Sequence, residues 1–268
     1  MRKVILVLII SIAISATIVG YIFFDTHTIL CREVYSNNST EIIIDDFMPI
    51  DDFHKLKRLS KLQGLGFFRD DVSDIEFLSD LSDLKILYLE TPNVTDYKPI
   101  SNCENLNTLS IERASFSDLN CLYNNRKLKT LRVVSNDLKT LDGLAEPHDL
   151  EDLTIWSTDL NDISVLKDAD QLKKLSIITN ENIDYQNISC CTNLVELILQ
   201  GDKNLSSLSI DGLNNLEKIN IAHTDFTDFE GLLSLPNLKE VDVSDSMMSE
   251  DMMQKFKDKG ITVTMFIE

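Results

Sequence analysis

Apolar residues recur in a fixed register along most of the chain. Leucine stands at 62, 84, 106, 128, 150, 172, 194, 216 and 238, at one constant interval and without an insertion. Three residues further on come Leu65, Leu87, Leu109, Leu131, Leu153, Leu175, Leu197, Ile219 and Val241. Two beyond those come Phe67, Leu89, Ile111, Val133, Ile155, Ile177, Leu199, Ile221 and Val243. Counting each unit from its first leucine, positions 4 and 6 flank one outward residue, as Leu109 and Ile111 flank Ser110. That alternation predicts a short strand with one buried face. The return half of the unit carries apolar residues at positions 11, 14 and 17, such as Leu160, Ile163 and Leu166. One such strand cannot bury its own apolar face. The units must therefore stack, with their strands in a parallel sheet over a continuous core.

The motif L-x-x-L-x-Φ, with Φ apolar, is that of a leucine-rich repeat. The fold expected is α/β: a right-handed solenoid with a curved parallel β-sheet, capped at both ends and preceded by an N-terminal transmembrane helix. A partial first repeat covers 41–61, with Ile42, Ile43 and Ile44 as its strand and Ile50, Asp52, Phe53, Leu56 and Leu59 in its return half. Full repeats run over 62–246. A C-terminal cap, 247–268, begins with a helix N-capped by Ser249 and ended by Gly260, and closes on a strand through Ile261, Val263 and Met265. Position 13 is acidic in Asp74, Asp96, Asp118, Asp162, Asp184, Asp228 and Glu250. These side chains are expected to cap turns or short helices in preference to binding cations.

Residues 1–24 form a separate object. Arg2 and Lys3 precede 21 uncharged residues, Val4 to Phe24, which as a helix reach about 31 Å, the thickness of a bilayer's hydrocarbon core. Small residues lie inside this run instead of after it, and Leu30-Cys31 lacks the small residue of a lipoprotein cleavage site. The segment therefore reads as an uncleaved signal anchor in preference to a cleaved signal peptide, which would leave the rest of the chain secreted. Basic residues before the span place the rest of the chain on the outer side. Residues 25–40 show no period and read as a stalk, leaving 41–268 as the repeat domain. The chain carries 25 basic and 44 acidic residues, net −19, a balance that argues against nucleic acid as a partner.

The 22-residue length and the return pattern Φ-x-D-Φ-x-x-Φ resemble internalin-type bacterial leucine-rich repeats. The likeness is clearest in Leu150-Glu-Asp-Leu153-Thr-Ile155 followed by Leu160-Asn-Asp162-Ile163-Ser-Val-Leu166. It extends over about residues 50–246. It implies a curved right-handed solenoid with its strands on the concave face, and protein recognition by that face. At position 9, where the family favours asparagine, only Asn136 and Asn180 keep it. Pro92, Ala114, Thr158 and Thr224 do not, so no unbroken asparagine ladder is expected there. In the repeat starting at Leu194 the return residues shift by one, to Leu205 and Leu208, implying a locally different loop.

Catalytic chemistry has no visible seat. His27, His54, His148 and His223 lack metal-ligand spacing, and nucleophile-elbow, phosphate-loop and zinc-protease motifs are absent. No enzyme activity, metal, cofactor or small-molecule substrate is expected. Cys103 and Cys191 occupy the same apolar slot four repeats apart, about 19 Å at the spacing of stacked strands, beyond disulfide reach. The pairing of Cys31, Cys103, Cys121 and Cys190 is left open.

Outward positions 5 and 7 are not dictated by folding, so they carry the functional signal. Trp156, the single tryptophan, falls there between Val134 and Ile178, with Ile198 and Gln200 beyond and Phe68, Tyr88, Glu90, Glu112 and Arg132 before. An apolar cluster rimmed by charge on a concave face points to a protein ligand, with Arg132, Glu90 and Glu112 setting orientation. The function expected is a membrane-anchored, non-catalytic recognition module held by residues 4–24. Two alternatives are a self-associating structural protein of the cell envelope and an intracellular regulatory scaffold of the phosphatase-regulator type.

Overall fold

The computed structural model describes residues 27–30, 33–45, 53–144, 149–179, 183–202 and 205–267. Its centre is an eleven-stranded sheet whose strands follow one another in sequence order. They are β3 (Glu41–Ile44), β4 (Gly64–Phe68), β5 (Ile86–Glu90), β6 (Thr108–Glu112), β7 (Thr130–Val134), β8 (Asp152–Trp156), β9 (Lys174–Ile178), β10 (Glu196–Ile198), β11 (Lys218–Asn220), β12 (Glu240–Ser244) and β13 (Thr262–Phe266). Every pairing in this sheet is parallel, and Leu87, Leu109, Leu131, Leu153 and Leu175 stand directly opposite one another on successive strands. The constant repeat length sets this register: one complete coil returns the chain to the same height on the next strand.

The rows at positions 4 and 6 are buried from Leu65 and Phe67 to Val241 and Val243, and the return residues close the core from behind. Tyr97, Leu119, Ile163 and Tyr185 at position 14 and Ile100, Leu122, Leu166 and Ile188 at position 17 are all within 3 % of full burial. Each such side chain contributes roughly 1.5–3 kcal/mol, so the inward rows decide the fold and leave the outward rows free to vary. Phe53 and Leu56 of the 3-10 turn Phe53–Arg58, and Leu59 just after it, pack at the N-terminal end, with Leu56 fully buried. Ile50 and Asp52, read into the same partial repeat, lie outside the described residues.

Position 13 caps the return turns. The carboxylates of Asp96, Asp118, Asp162 and Asp184 accept the backbone N–H two residues on, at 2.8–3.0 Å. Where threonine replaces the acid, the Thr140 hydroxyl takes the N–H of Asp142 at 3.1 Å. An asparagine ladder does exist, but at position 22. Asn105, Asn193, Asn215 and Asn237 donate their side-chain amides to the carbonyls of Ser82, Asp170, Thr192 and Asn214 in the preceding coil. Turns leaving the strands are satisfied at position 8 by buried hydroxyls: Ser157 donates to the Leu138 carbonyl at 2.8 Å and Thr179 to that of Leu160. Asn180, one of the two position-9 asparagines, is outside the described residues.

Two short helices lie near the C-terminal end of the solenoid. Helix α1 (Phe229–Ser234) is N-capped by Asp228, and α2 (Glu250–Asp258) by Ser249, whose hydroxyl accepts the Met252 N–H. Phe256 anchors α2 in the core, and Gly260 ends it at φ +75°, a conformation only glycine adopts without cost. Before the sheet, β1 (His27–Leu30) and β2 (Glu33–Ser36) form an antiparallel hairpin lying against the Phe53–Arg58 turn. The absence of a repeat period in 25–40 gives no sign of this hairpin. Residues 4–24, expected as an anchor, lie outside the described residues, and no described helix is long and apolar enough to cross a membrane.

Candidate functional site: the open face of the sheet

Because the coils from β4 onward have the same length, outward residues align in rows across the strands. The position-7 row runs Phe68, Glu90, Glu112, Val134, Trp156 and Ile178, each opposite the next. The position-5 row runs Gly66, Tyr88, Ser110, Arg132, Thr154 and Ser176. Eight of the ten residues singled out from the sequence thus fall on one contiguous surface. Ile198 continues it opposite Ser176, paired with Asn220 on its other side. Gln200 departs: β10 ends at Ile198, so Gln200 sits in the turn that follows.

At the centre of the face, three side chains from adjacent strands engage one another. The Arg132 guanidinium donates from Nε to Glu112 at 2.9 Å and lies 4.7 Å over the Trp156 ring. Trp156 remains 41 % exposed, flanked in register by half-buried Val134 and Ile178. A cation held on an indole face and tied to a carboxylate fixes the orientation of all three groups.

Towards the N-terminal end the character changes. Gly64 and Gly66 take two outward positions of β4, and a cavity of about 220 Å³ opens above them. Its walls include Ile43, Phe68, Ile86 and Tyr88, with Glu41 at the rim. Ile43 and Tyr88 are 63 % and 43 % exposed. Beside this region Arg113 bridges Glu90 at 3.0 Å and Asp70 at 3.1 Å, which holds its guanidinium still more firmly protonated. Glu90 and Glu112, expected with Arg132 to orient a partner, are each engaged by an arginine of the same chain.

Arg113 is invisible to the pattern, because position 8 in several other coils points inward, as in buried Thr91, Ser135, Ser157 and Thr179. It adopts φ +56°, a left-handed conformation that swings its side chain over the face. Ile43 and Ile86 also join the face unannounced. Both stand in outward slots that the apolar pattern alone does not separate from core; their neighbours Ile42, Ile44 and Leu87 are the buried ones.

At the other end the face closes. Lys218 pairs with Glu240 at 3.2 Å, and Ala222 and Ser244 in the position-7 row are fully buried. The hydroxyl of Ser244 accepts the His223 N–H at 2.7 Å. The open surface thus narrows at β11 and β12; beyond them Phe266 of β13, opposite Ser244 in the same row, is 38 % exposed.

Among the described residues, nothing on this face assembles a nucleophile with a base. Cys103, Cys121, Cys190 and Cys191 are free thiols, and burial pushes Cys103, Cys121 and Cys191 up to about 12, away from the reactive thiolate. Cys31 lies outside the described residues. No group of three described His, Cys, Asp or Glu residues could hold a metal ion.

Solved structures place this architecture among the internalins. An internalin (InlF) from Listeria monocytogenes superposes with a TM-score of 0.59 at 19 % identity, over 88 % of this chain and 85 % of that one. Internalin C2 of the same organism gives 0.53 at 19 % identity, over 80 % and 86 %. The functional domain of InlJ, also from Listeria monocytogenes, gives 0.58 at 15 % identity, over 88 % of this chain and 56 % of that one. At the sequence level neither a family model nor a curated protein matches the chain. The protein has the internalin-type leucine-rich-repeat fold.

Proposed function

We propose that this protein is a non-catalytic recognition module that binds a protein partner through the open, concave face of its sheet. Residues 4–24 would anchor it in a membrane with the repeats on the outer side. The observation that supports this reading is Trp156, a lone tryptophan left 41 % exposed in mid-sheet on a strand whose fold does not need it. Large aromatic side chains in such positions are the usual anchors of protein interfaces. Arg132, already oriented by Glu112 and the indole, adds little ordering cost on binding. The internalin-type fold is compatible with such an address.

The test is proximity labelling in intact cells expressing the full chain, wild type against the double variant Trp156→Ala/Ile178→Ala. A discrete set of neighbours lost only in the variant is the expected result. An identical set in both would remove the face from the account and leave Trp156 as packing. Fractionation of the full chain against one lacking residues 1–24 checks the anchor: only the former should sediment with membranes.

A further inference from the structure

The pocket over β4 has a chemistry of its own, and the inference drawn from it rests on the reading of the face as a protein-binding surface. We infer that this pocket receives one apolar side chain of the partner, with a lysine or arginine beside it in the partner's chain pairing with Glu41.

The floor is made by two glycines. A Cβ at Gly64 would come within 2.8 Å of Glu41 Cγ, and one at Gly66 within 2.9 Å of Phe68 and 3.3 Å of Ile43. Neither glycine has a positive φ, so backbone conformation does not demand glycine there; space does. Glycine inside a strand weakens it and marks places where another group approaches the backbone closely. The hollow these residues line is about 220 Å³, and a cavity of roughly 150 Å³ already admits a benzene ring. The walls are apolar, and Ile43, in an outward slot, leaves most of its surface open to solvent. An exposed apolar hollow of this kind is a site for burying a side chain.

Charge selects the neighbour. No lysine or arginine lines the pocket. The carboxylate of Glu41 is exposed and makes no ion pair among the described residues, in contrast to Glu90 and Glu112. A cation on the partner, drawn also by the −19 charge of the chain, would complete Glu41 without displacing an internal bond.

The probe is a displayed library of random linear peptides, selected on the full chain in mild detergent. Selected peptides should share an apolar residue next to lysine or arginine. Their affinity should fall by about tenfold or more in Gly66→Val, which fills the floor, and in Ile43→Ser, which removes a wall without touching the core. Glu41→Gln should cost about threefold, and Tyr123→Ser, on the exposed return side, nothing. Peptides without a shared motif, or affinities unmoved by both Gly66→Val and Ile43→Ser, would overturn the assignment. If those same peptides were instead weakened by Trp156→Ala, the face would stand as a binding surface and the pocket alone would fall. Indifference to all of these variants would sink both.

Discussion

Strands β4 and β5 and strands β6 to β8 are built from the same repeat and finish their outward faces in opposite ways. In the centre Glu112, Arg132 and Trp156 answer one another, and the flanking coils are tied by Lys129 and Lys173, both bonded to Glu151. At the N-terminal end the corresponding outward slots hold Gly64 and Gly66, and apolar walls stand open around them. The centre is ordered before any partner arrives. The N-terminal end keeps space that only an incoming group can fill. A repeat fixes where side chains stand, so the difference lies wholly in residues that the core does not constrain. A shared scaffold can therefore carry a rigid contact and a receptive one within a few strands.

The largest effect expected comes from removing the scaffold that both regions share. Leu153, fully buried beneath β8, should cost about 2–5 kcal/mol when replaced by alanine, read as a lower midpoint in urea unfolding. Because each coil contacts mainly its neighbours, the loss should be felt first in β7–β9, and hydrogen exchange should show the amides of β4 and β5 protected for longer. Equal loss of protection over all strands would mean that the two regions are one cooperative unit.

A smaller effect, about 1 kcal/mol, is expected from Asp162→Ala, which removes the carboxylate accepting the Ser164 N–H at 2.8 Å behind the centre of the face. Asp162→Thr should recover much of the loss, since Thr140 caps the neighbouring coil in the same way. A rescue by threonine would identify hydrogen bonding, and not charge, as the role of the acidic row.

The contrast also explains how far the sequence can be read. Strands, core rows, caps and the capping role of position 13 follow from side chains that recur once in every coil, because burial and backbone satisfaction impose the same demand on each. The asparagine ladder at position 22 is equally periodic, in the pairs Asn105-Leu106, Asn193-Leu194, Asn215-Leu216 and Asn237-Leu238. It escapes notice because the family's favoured asparagine stands at position 9, where this chain mostly lacks it. Trp156 between Val134 and Ile178 can be placed by register alone. The pocket cannot, since it depends on what two glycines omit. Arg113 cannot either, since a left-handed turn reverses the direction its position predicts.

Within the centre, the coupling of Arg132 and Trp156 can be measured directly. A double-mutant cycle with Arg132→Ala and Trp156→Ala should give about 0.5–1 kcal/mol of favourable coupling in unfolding free energy, the range for an exposed cation over an aromatic face. A coupling near zero would mean that the guanidinium is held by Glu112 alone. The face would then lose its claim to be ordered in advance, and its centre would resemble its N-terminal end.

The smallest effect concerns charge at the edge of the central strands. Hydrogen bonds from Lys173 and then Lys129 lower Glu151 to about 2 from an ordinary value of 4.5. A carboxyl depressed in the folded state stabilises above its unfolded pKa, and that contribution fades as pH falls from about 4.5 towards 2. Both lysines are exposed and the glutamate is half-open to solvent, so the gain in stability is small and falls further with salt. The residue's own titration is the sensitive readout. Carboxyl-carbon NMR should place the Glu151 midpoint near 2 in the wild type, and Lys173→Ala should raise it more than Lys129→Ala. The N-terminal end supplies the comparison: Gln63, Lys85 and Asn107 occupy the equivalent positions there and form no such ladder. Introducing Asn107→Glu between Lys85 and Lys129 should create one, with a depressed midpoint at residue 107. An ordinary midpoint there would show that strand register alone does not bring the charges together, and that the coils around Glu151 are set closer than those at the receptive end.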